Sequence, residues 1–177
     1  MKFRTATPED ITEISEIRKK QIQDEGQTPD IDIDEDLHRY FEKYMKSGDL
    51  IEWVAEEDGR IIATAAIVFM DYPPSFRNKT GRTGYVGNVY TADEYRGRGI
   101  AGQLLEKVED EAKKRGVTML LLHASEAGRK AYLKSGYEDV DYEMEKIIEW
   151  TVAYLTGGDT LKVMDEHIAQ YFATKPE

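Results

Sequence analysis

The sequence predicts an α/β domain with a helical extension at its C-terminal end, and three observations carry that prediction. Residues 51–56 and 60–70 are two β-rich runs separated by Glu57-Asp58-Gly59, and Asp-Gly between such runs is a strong hairpin signal. Residues 99–115 place Ile100, Leu104, Leu105, Val108 and Ala112 on one helical face, the clearest amphipathic helix in the chain. Helical and β-type periods alternate around these two features, so strands and helices interleave along one body.

Taken in order, residues 2–6 read as a short strand. Thr7 then caps a helix with Pro8 at its first position and Asp10 near the positive end of its dipole. Ile11, Ile14, Ile17 and Ile22 share a face of that helix, which is expected to run to about Asp24. A loop follows, with the acidic run Asp30, Asp32, Asp34, Glu35 and Asp36. It leads into a second helix carrying Leu37, Tyr40, Phe41, Tyr44 and Met45, closed by Lys46-Ser47-Gly48. After the hairpin, Tyr72-Pro73-Pro74 breaks the strand and residues 84–91 form a third. Beyond the long helix, Gly116 is a stop, residues 117–123 read as a buried strand, and residues 126–134 as a short helix closed by Ser135-Gly136. Residues 137–148 alternate as one bent strand or two short ones. In the extension, residues 149–177, Gly157-Gly158-Asp159 precedes a final helix striped with Leu161, Met164, Ile168, Tyr171 and Phe172. That stripe must be buried, against the same domain or against a second copy of the chain, and a homodimer is the expectation.

Composition narrows the function. At 177 residues and 20.3 kDa the chain has about one domain's length, and 40% hydrophobic residues suffice for a core. A net charge of −11 argues against nucleic acid as a partner, because a duplex binder must neutralise phosphates. The absence of cysteine removes disulfides, thiolate metal sites and cysteine nucleophiles together, and no metal is expected. No apolar run approaches the roughly 18 residues of a membrane helix, and the N-terminal residues lack a signal-peptide core. A cytoplasmic protein without a membrane partner is expected.

The chemistry concentrates in Tyr95-Arg-Gly-Arg-Gly-Ile-Ala-Gly-Gln-Leu-Leu105, which opens the long helix after a strand. Glycines at a helix N-terminus let backbone N–H groups approach an anion, and the helix dipole favours negative charge there. Two patterns fit. Gly97, Gly99 and Gly102 satisfy G-x-G-x-x-G, the dinucleotide fingerprint. That motif requires a tight turn from the strand and an acidic residue at the end of the next one, whereas residues 92–96 intervene here and the next strand ends in His123-Ala124. Arg96, Gly99 and Ala101 satisfy R-x-x-G-x-A.

With that second pattern the sequence resembles the GNAT superfamily of N-acetyltransferases. The later segment Ser-Glu-Ala-Gly-Arg-Lys-Ala-Tyr-Leu-Lys-Ser-Gly-Tyr supports the resemblance, placing Ser125, Gly128, Tyr132, Gly136 and Tyr137 where the family has Asn, a small residue, Tyr, Gly and an aromatic. The resemblance spans residues 1–148, leaving 149–177 as the extension. It implies a mixed, mostly antiparallel central sheet flanked by helices, and acetyl-CoA as co-substrate. Asn88, Val89, Tyr90 and Thr91 would lie along pantetheine, with the N–H of Val89 or Tyr90 as oxyanion donor. Arg96, Gly97, Arg98, Gly99, Ile100, Ala101, Gly102 and Gln103 would hold the pyrophosphate. Ser125, standing where the family has Asn, and Gly128 would lie near the pantetheine arm. Tyr132 would protonate the departing thiolate, and His123 is the candidate base. Asn88, Tyr90 and the acidic run are candidates to line or attract the acceptor, a small-molecule or peptide amine. Core packing and a solvated face remain the other readings of these residues. A non-catalytic acyl-CoA-binding or interaction module with the same fold is the alternative, and Tyr132 separates the two because a module needs only the cradle.

Overall fold

The structure, a computed structural model, describes residues 1–140. Five strands form one sheet in chain order: β1 (Lys2–Thr5), β2 (Leu50–Glu57), β3 (Arg60–Asp71), β4 (Arg82–Thr91) and β5 (Leu120–Leu121). The first four are antiparallel neighbours and β5 joins β4 in parallel, so the sheet is mixed and mostly antiparallel. Helices α1 (Ile11–Asp24) and α2 (Asp34–Ser47) connect β1 to β2, α3 (Ile100–Lys114) connects β4 to β5, and α4 (Glu126–Lys134) follows β5. The described residues fall into two units, Met1–Gln27 with Ile33–Asp139, and Thr28–Asp32 with Val140; in the second, Thr28 Oγ1 donates to Asp30 at 2.5 Å. Of the one bent strand or two short ones expected over residues 137–148, residues 137–140 are not strand, and the rest lies outside the described residues, as do the 148/149 boundary and the C-terminal helix.

Each element follows from local chemistry. Asp58 and Gly59 both take positive φ, +51° and +75°, the pair of left-handed residues a two-residue hairpin turn requires. Pro8 opens a single 3-10 turn, Pro8–Asp10, rather than α1 itself. There the Thr7 N–H donates to Asp10 Oδ2 at 2.7 Å, and Arg4 grips both Asp10 oxygens at 2.7 and 2.8 Å. The guanidinium holds the Asp10 carboxyl down at about 2. In α1 the buried stripe is Ile11, Ile14, Ser15 and Gln21; Ile17 and Ile22 are only half-buried. Gly48, at φ +76°, ends α2 as expected.

The sheet carries one apolar cluster on each face. Ala55, Ile62, Ala63, Ala65, Ile67, Phe69 and Val86 pack with Ile100, Leu104, Leu105, Val108 and Ala112 of α3. On the other face, Leu50 and Val54 meet Ile11 and Ile14 of α1 and Phe41 of α2. The apolar run 117–123 corrects one expectation. Only Leu120 and Leu121 are strand, and both are half-buried. Val117 is buried in the core outside the sheet. β5 pairs with β4 only at Gly84↔Leu120 and Tyr85↔Leu121, and β4 then runs on to Thr91 without it. Gly84 makes even that pairing close, because a Cβ there would stand 2.7 Å from Leu120 Cδ2. Among the described residues no helix is long and apolar enough to cross a membrane.

Candidate active site

The parting of β4 from β5 sets up the site. Beyond the short turn Asp93–Tyr95, Gly97 and Gly99 take φ of +78° and +75°, and Gly99 caps α3. A Cβ at Gly97, Gly99 or Gly102 would meet nothing within 4 Å, so this loop and the first turn of α3 are open on the side the glycines present. The first bond of the helix runs from Gln103 N to Gly99 O at 3.2 Å, so the N–H groups of Ile100, Ala101 and Gly102 have no intrahelical acceptor. An anion fits such a cradle. Arg96 is held differently from a free cation. Its Nε donates to Thr91 O at 3.0 Å, and its Nη2 pairs with Asp93 at 2.8 Å and Asp24 at 3.2 Å, bracing the loop against β4 and α1. The Arg98 guanidinium lies 4.8 Å from the centre of the Tyr95 ring and donates to Glu94 O.

β4 is not regular. Its register against β3 slips between Thr64↔Tyr90 and Ala66↔Gly87, and Asn88 sits in the bulge at φ +50°. Its carbonyl accepts from Thr64 Oγ1 at 2.6 Å, and its Nδ2 donates to Glu52 Oε2 at 3.2 Å. Tyr90 pairs with Thr64 and Thr64 with Val54, and Asn88 reaches Glu52, so Tyr90 and Asn88 share a face, as expected, and it is the one that α1 and α2 cover. Sequence reasoning passed over Glu52. Burial pushes its carboxyl up to about 8, against the opposing pull of the Asn88 bond and Arg18. The signal was present: in Leu50-Ile51-Glu52-Trp53-Val54 the strand alternation puts the glutamate on the same face as Leu50 and Val54.

α4 brings the second group of residues. Ser125 caps it, its Oγ accepting from Gly128 N at 3.2 Å, so the side chain that replaces the family's Asn is committed to the helix start. Tyr132 is 8% exposed and meets Tyr137 edge-on at 5.9 Å. Gly128 makes room for it, since a Cβ there would stand 2.9 Å from Tyr132 Cε2. Burial, with the negative charge of Glu25 and the neighbouring Tyr85, pushes the Tyr132 phenol up to about 12, so it carries its proton at neutral pH. His123, exposed just after β5, places Nδ1 2.8 Å from the Tyr85 hydroxyl on β4. In the acidic run, Asp34, Glu35 and Asp36 form the first turn of α2, where the dipole favours them. Asp34 bonds Lys19 at 2.5 Å, and Asp36 pairs with Arg39.

A family model described as an acetyltransferase (GNAT) domain matches residues 2–140, most of the chain. The chain belongs to the GNAT acetyltransferase family. It is an acyltransferase, and acetyl-CoA is the co-substrate that GNAT acetyltransferases use. Among solved structures it is similar to a predicted acetyltransferase with acetyl-CoA from Clostridium acetobutylicum, with 46% identity, 83% of this chain and 96% of the other covered, and a TM-score of 0.81. A GCN5-related N-acetyltransferase from Ralstonia eutropha shares the fold at 22% identity and a TM-score of 0.76, over 84% of this chain and 99% of the other. Among curated proteins, a glucosamine 6-phosphate N-acetyltransferase from Arabidopsis thaliana is 28% identical over 77% of this chain and 93% of its own length.

Proposed function

We propose that this GNAT acetyltransferase moves the acetyl group of acetyl-CoA to a primary amine by direct attack in a ternary complex. The observation that carries the reading is that β4 runs on to Thr91 after its pairing with β5 ends at Tyr85, with the glycine-opened start of α3 following β4 in the chain and Tyr132 on α4 following β5. The reaction forms a C–N bond and breaks a C–S bond. The first turn of α3 holds the pyrophosphate through its N–H groups, while Arg96 braces the loop and contributes less to the anion itself. An N–H of Val89 or Tyr90, turned by the bulge, meets the thioester carbonyl as negative charge develops on its oxygen. Tyr132 gives its proton to the departing sulfur; a buried phenol is a competent donor to a thiolate forming beside it. The attacking ammonium gives one proton to His123, held by Tyr85, before attack, and the second proton the nitrogen sheds on becoming an amide restores the Tyr132 phenol.

A small molecule or peptide supplies the amine. We take amino sugars as the first candidates, a choice supported by the amino-sugar phosphate named for the 28% identical plant relative. We further propose that residues 149–177 join two copies of the chain. A panel of amino sugars, their phosphates, polyamines and peptides, assayed for CoA release by thiol titration, tests the reaction without background because the protein has no cysteine. At least one amine should release CoA in step with its own acetylation. Tight acetyl-CoA binding with no release across the panel would overturn the enzyme reading in favour of a binding module.

A further inference from the structure

Glu52 is 1% exposed in the middle of β2, and burying a carboxyl is costly unless something is gained by it. Its bonded partner, Asn88, is not on a neighbouring strand. β3 lies between, and the residue in register between them is Ala66, paired with Glu52 on one side and Gly87 on the other. A methyl group at Ala66 and no side chain at Gly87 leave Asn88 a path across β3. Thr64 ties the Asn88 carbonyl from β3 while Glu52 ties its amide from β2. A non-glycine residue at φ +50° is uncommon and persists where its surroundings over-determine it, which these two ties do.

We propose that Glu52 is a positioning residue for acetyl transfer: through Asn88 it fixes the β4 bulge, and with it the direction of the oxyanion-donating N–H of Val89 or Tyr90. The proposal rests on the preceding reading in assigning that N–H to the thioester carbonyl. Oxyanion donors help only if they already point at the oxygen before charge develops, so a bulge free to relax would forfeit part of their effect. Glu52 serves here as a hydrogen-bond acceptor. A neutral side chain of the same shape and with the same acceptor atom should therefore do its work.

The test compares Glu52→Leu with Glu52→Gln. Calorimetry measures the affinities for acetyl-CoA and for CoA, a comparison that needs no acceptor and so stands whether or not the amine has been found. In Glu52→Leu the preference for acetyl-CoA over CoA should fall by about three- to tenfold, the worth of one neutral hydrogen bond, with CoA affinity retained. With an active amine, kcat should fall by about 10- to 100-fold, less than or equal to the loss of a whole oxyanion donor. Glu52→Gln should recover both. If Glu52→Leu fails to fold, Asn88→Gly removes the tether while favouring positive φ, and it should show the same loss of preference. Wild-type preference in Asn88→Gly or Glu52→Leu would overturn the proposal. So would a Glu52→Gln enzyme that keeps the preference yet loses kcat as fully as Glu52→Leu, because the carboxyl would then be moving a proton.

Discussion

Replacing Gly102 by alanine should move stability and ligand affinity in opposite directions. Gly102 is the third residue of α3, counted from its Gly99 cap, and its backbone is not left-handed, unlike Gly97 and Gly99, where any side chain is strained. A Cβ at Gly102 meets no protein atom within 4 Å. Relieving a helical glycine should therefore stabilise the fold by about 0.5–1 kcal/mol, a rise of about 1–4 °C in Tm for a chain of this size. On the proposed reading, the same methyl group occupies the open side from which the pyrophosphate approaches. Displacing one charge-assisted hydrogen bond costs about 1.5–3 kcal/mol, so acetyl-CoA affinity should fall by about tenfold to a hundredfold. Thermal denaturation of the free protein and calorimetric titration with acetyl-CoA read the two effects separately. Unchanged affinity in a folded Gly102→Ala protein would remove the pyrophosphate from this turn.

Three other outcomes are expected. Asp10, whose carboxyl the Arg4 guanidinium holds at about 2, adds stability that is present above its unfolded value and disappears as pH falls through about 2. Asp10→Asn should cost about 1–2 kcal/mol at pH 7 and nearly nothing near pH 2, as read by urea titrations at both. Glu52 works with the opposite sign. Burial raises its pKa, so the folded chain holds a proton that the unfolded chain has released, and the contribution of Glu52 to stability falls as pH rises toward about 8. Glu52→Gln should flatten that decline, of about 1.4 kcal/mol per pH unit, and a wild-type slope retained in the variant would show the carboxyl is not the source. For the extension, light scattering should find a dimer for the full chain and a monomer for a chain ending at Lys146; a full-length monomer would defeat the dimer.

What the sequence made legible was whatever repeats with a period. The helices α1 to α4 and the hairpin were readable because apolar spacing and turn chemistry agree at each of them. β5 was overestimated for a physical reason: an apolar run buried beside a sheet, as at Val117, has the same composition as one paired within it. The glycine-opened start of α3 and the place of Tyr132 on α4 were readable because glycines and an aromatic fall in short, ordered motifs. Glu52, Thr64 and Tyr85 were not, since each acquires its meaning from a partner 24 to 38 residues away: Asn88 for the first two and His123 for the third. The reach of Asn88 across β3 depends on Ala66 being small, a condition that shows only once the register is known.

The central claim is that acetyl transfer occurs in the gap between β4 and β5 with Tyr132 protonating the sulfur. It is tested most directly by turnover of Tyr132→Phe with an active amine, set beside its acetyl-CoA affinity. Phenylalanine keeps the ring that packs on Tyr137 and Gly128 and removes the proton. Turnover should fall by about 10²- to 10⁴-fold, the share usual for a general acid, while affinity stays close to that of the wild type. Undiminished turnover would contradict the account and return Tyr132 to a packing role.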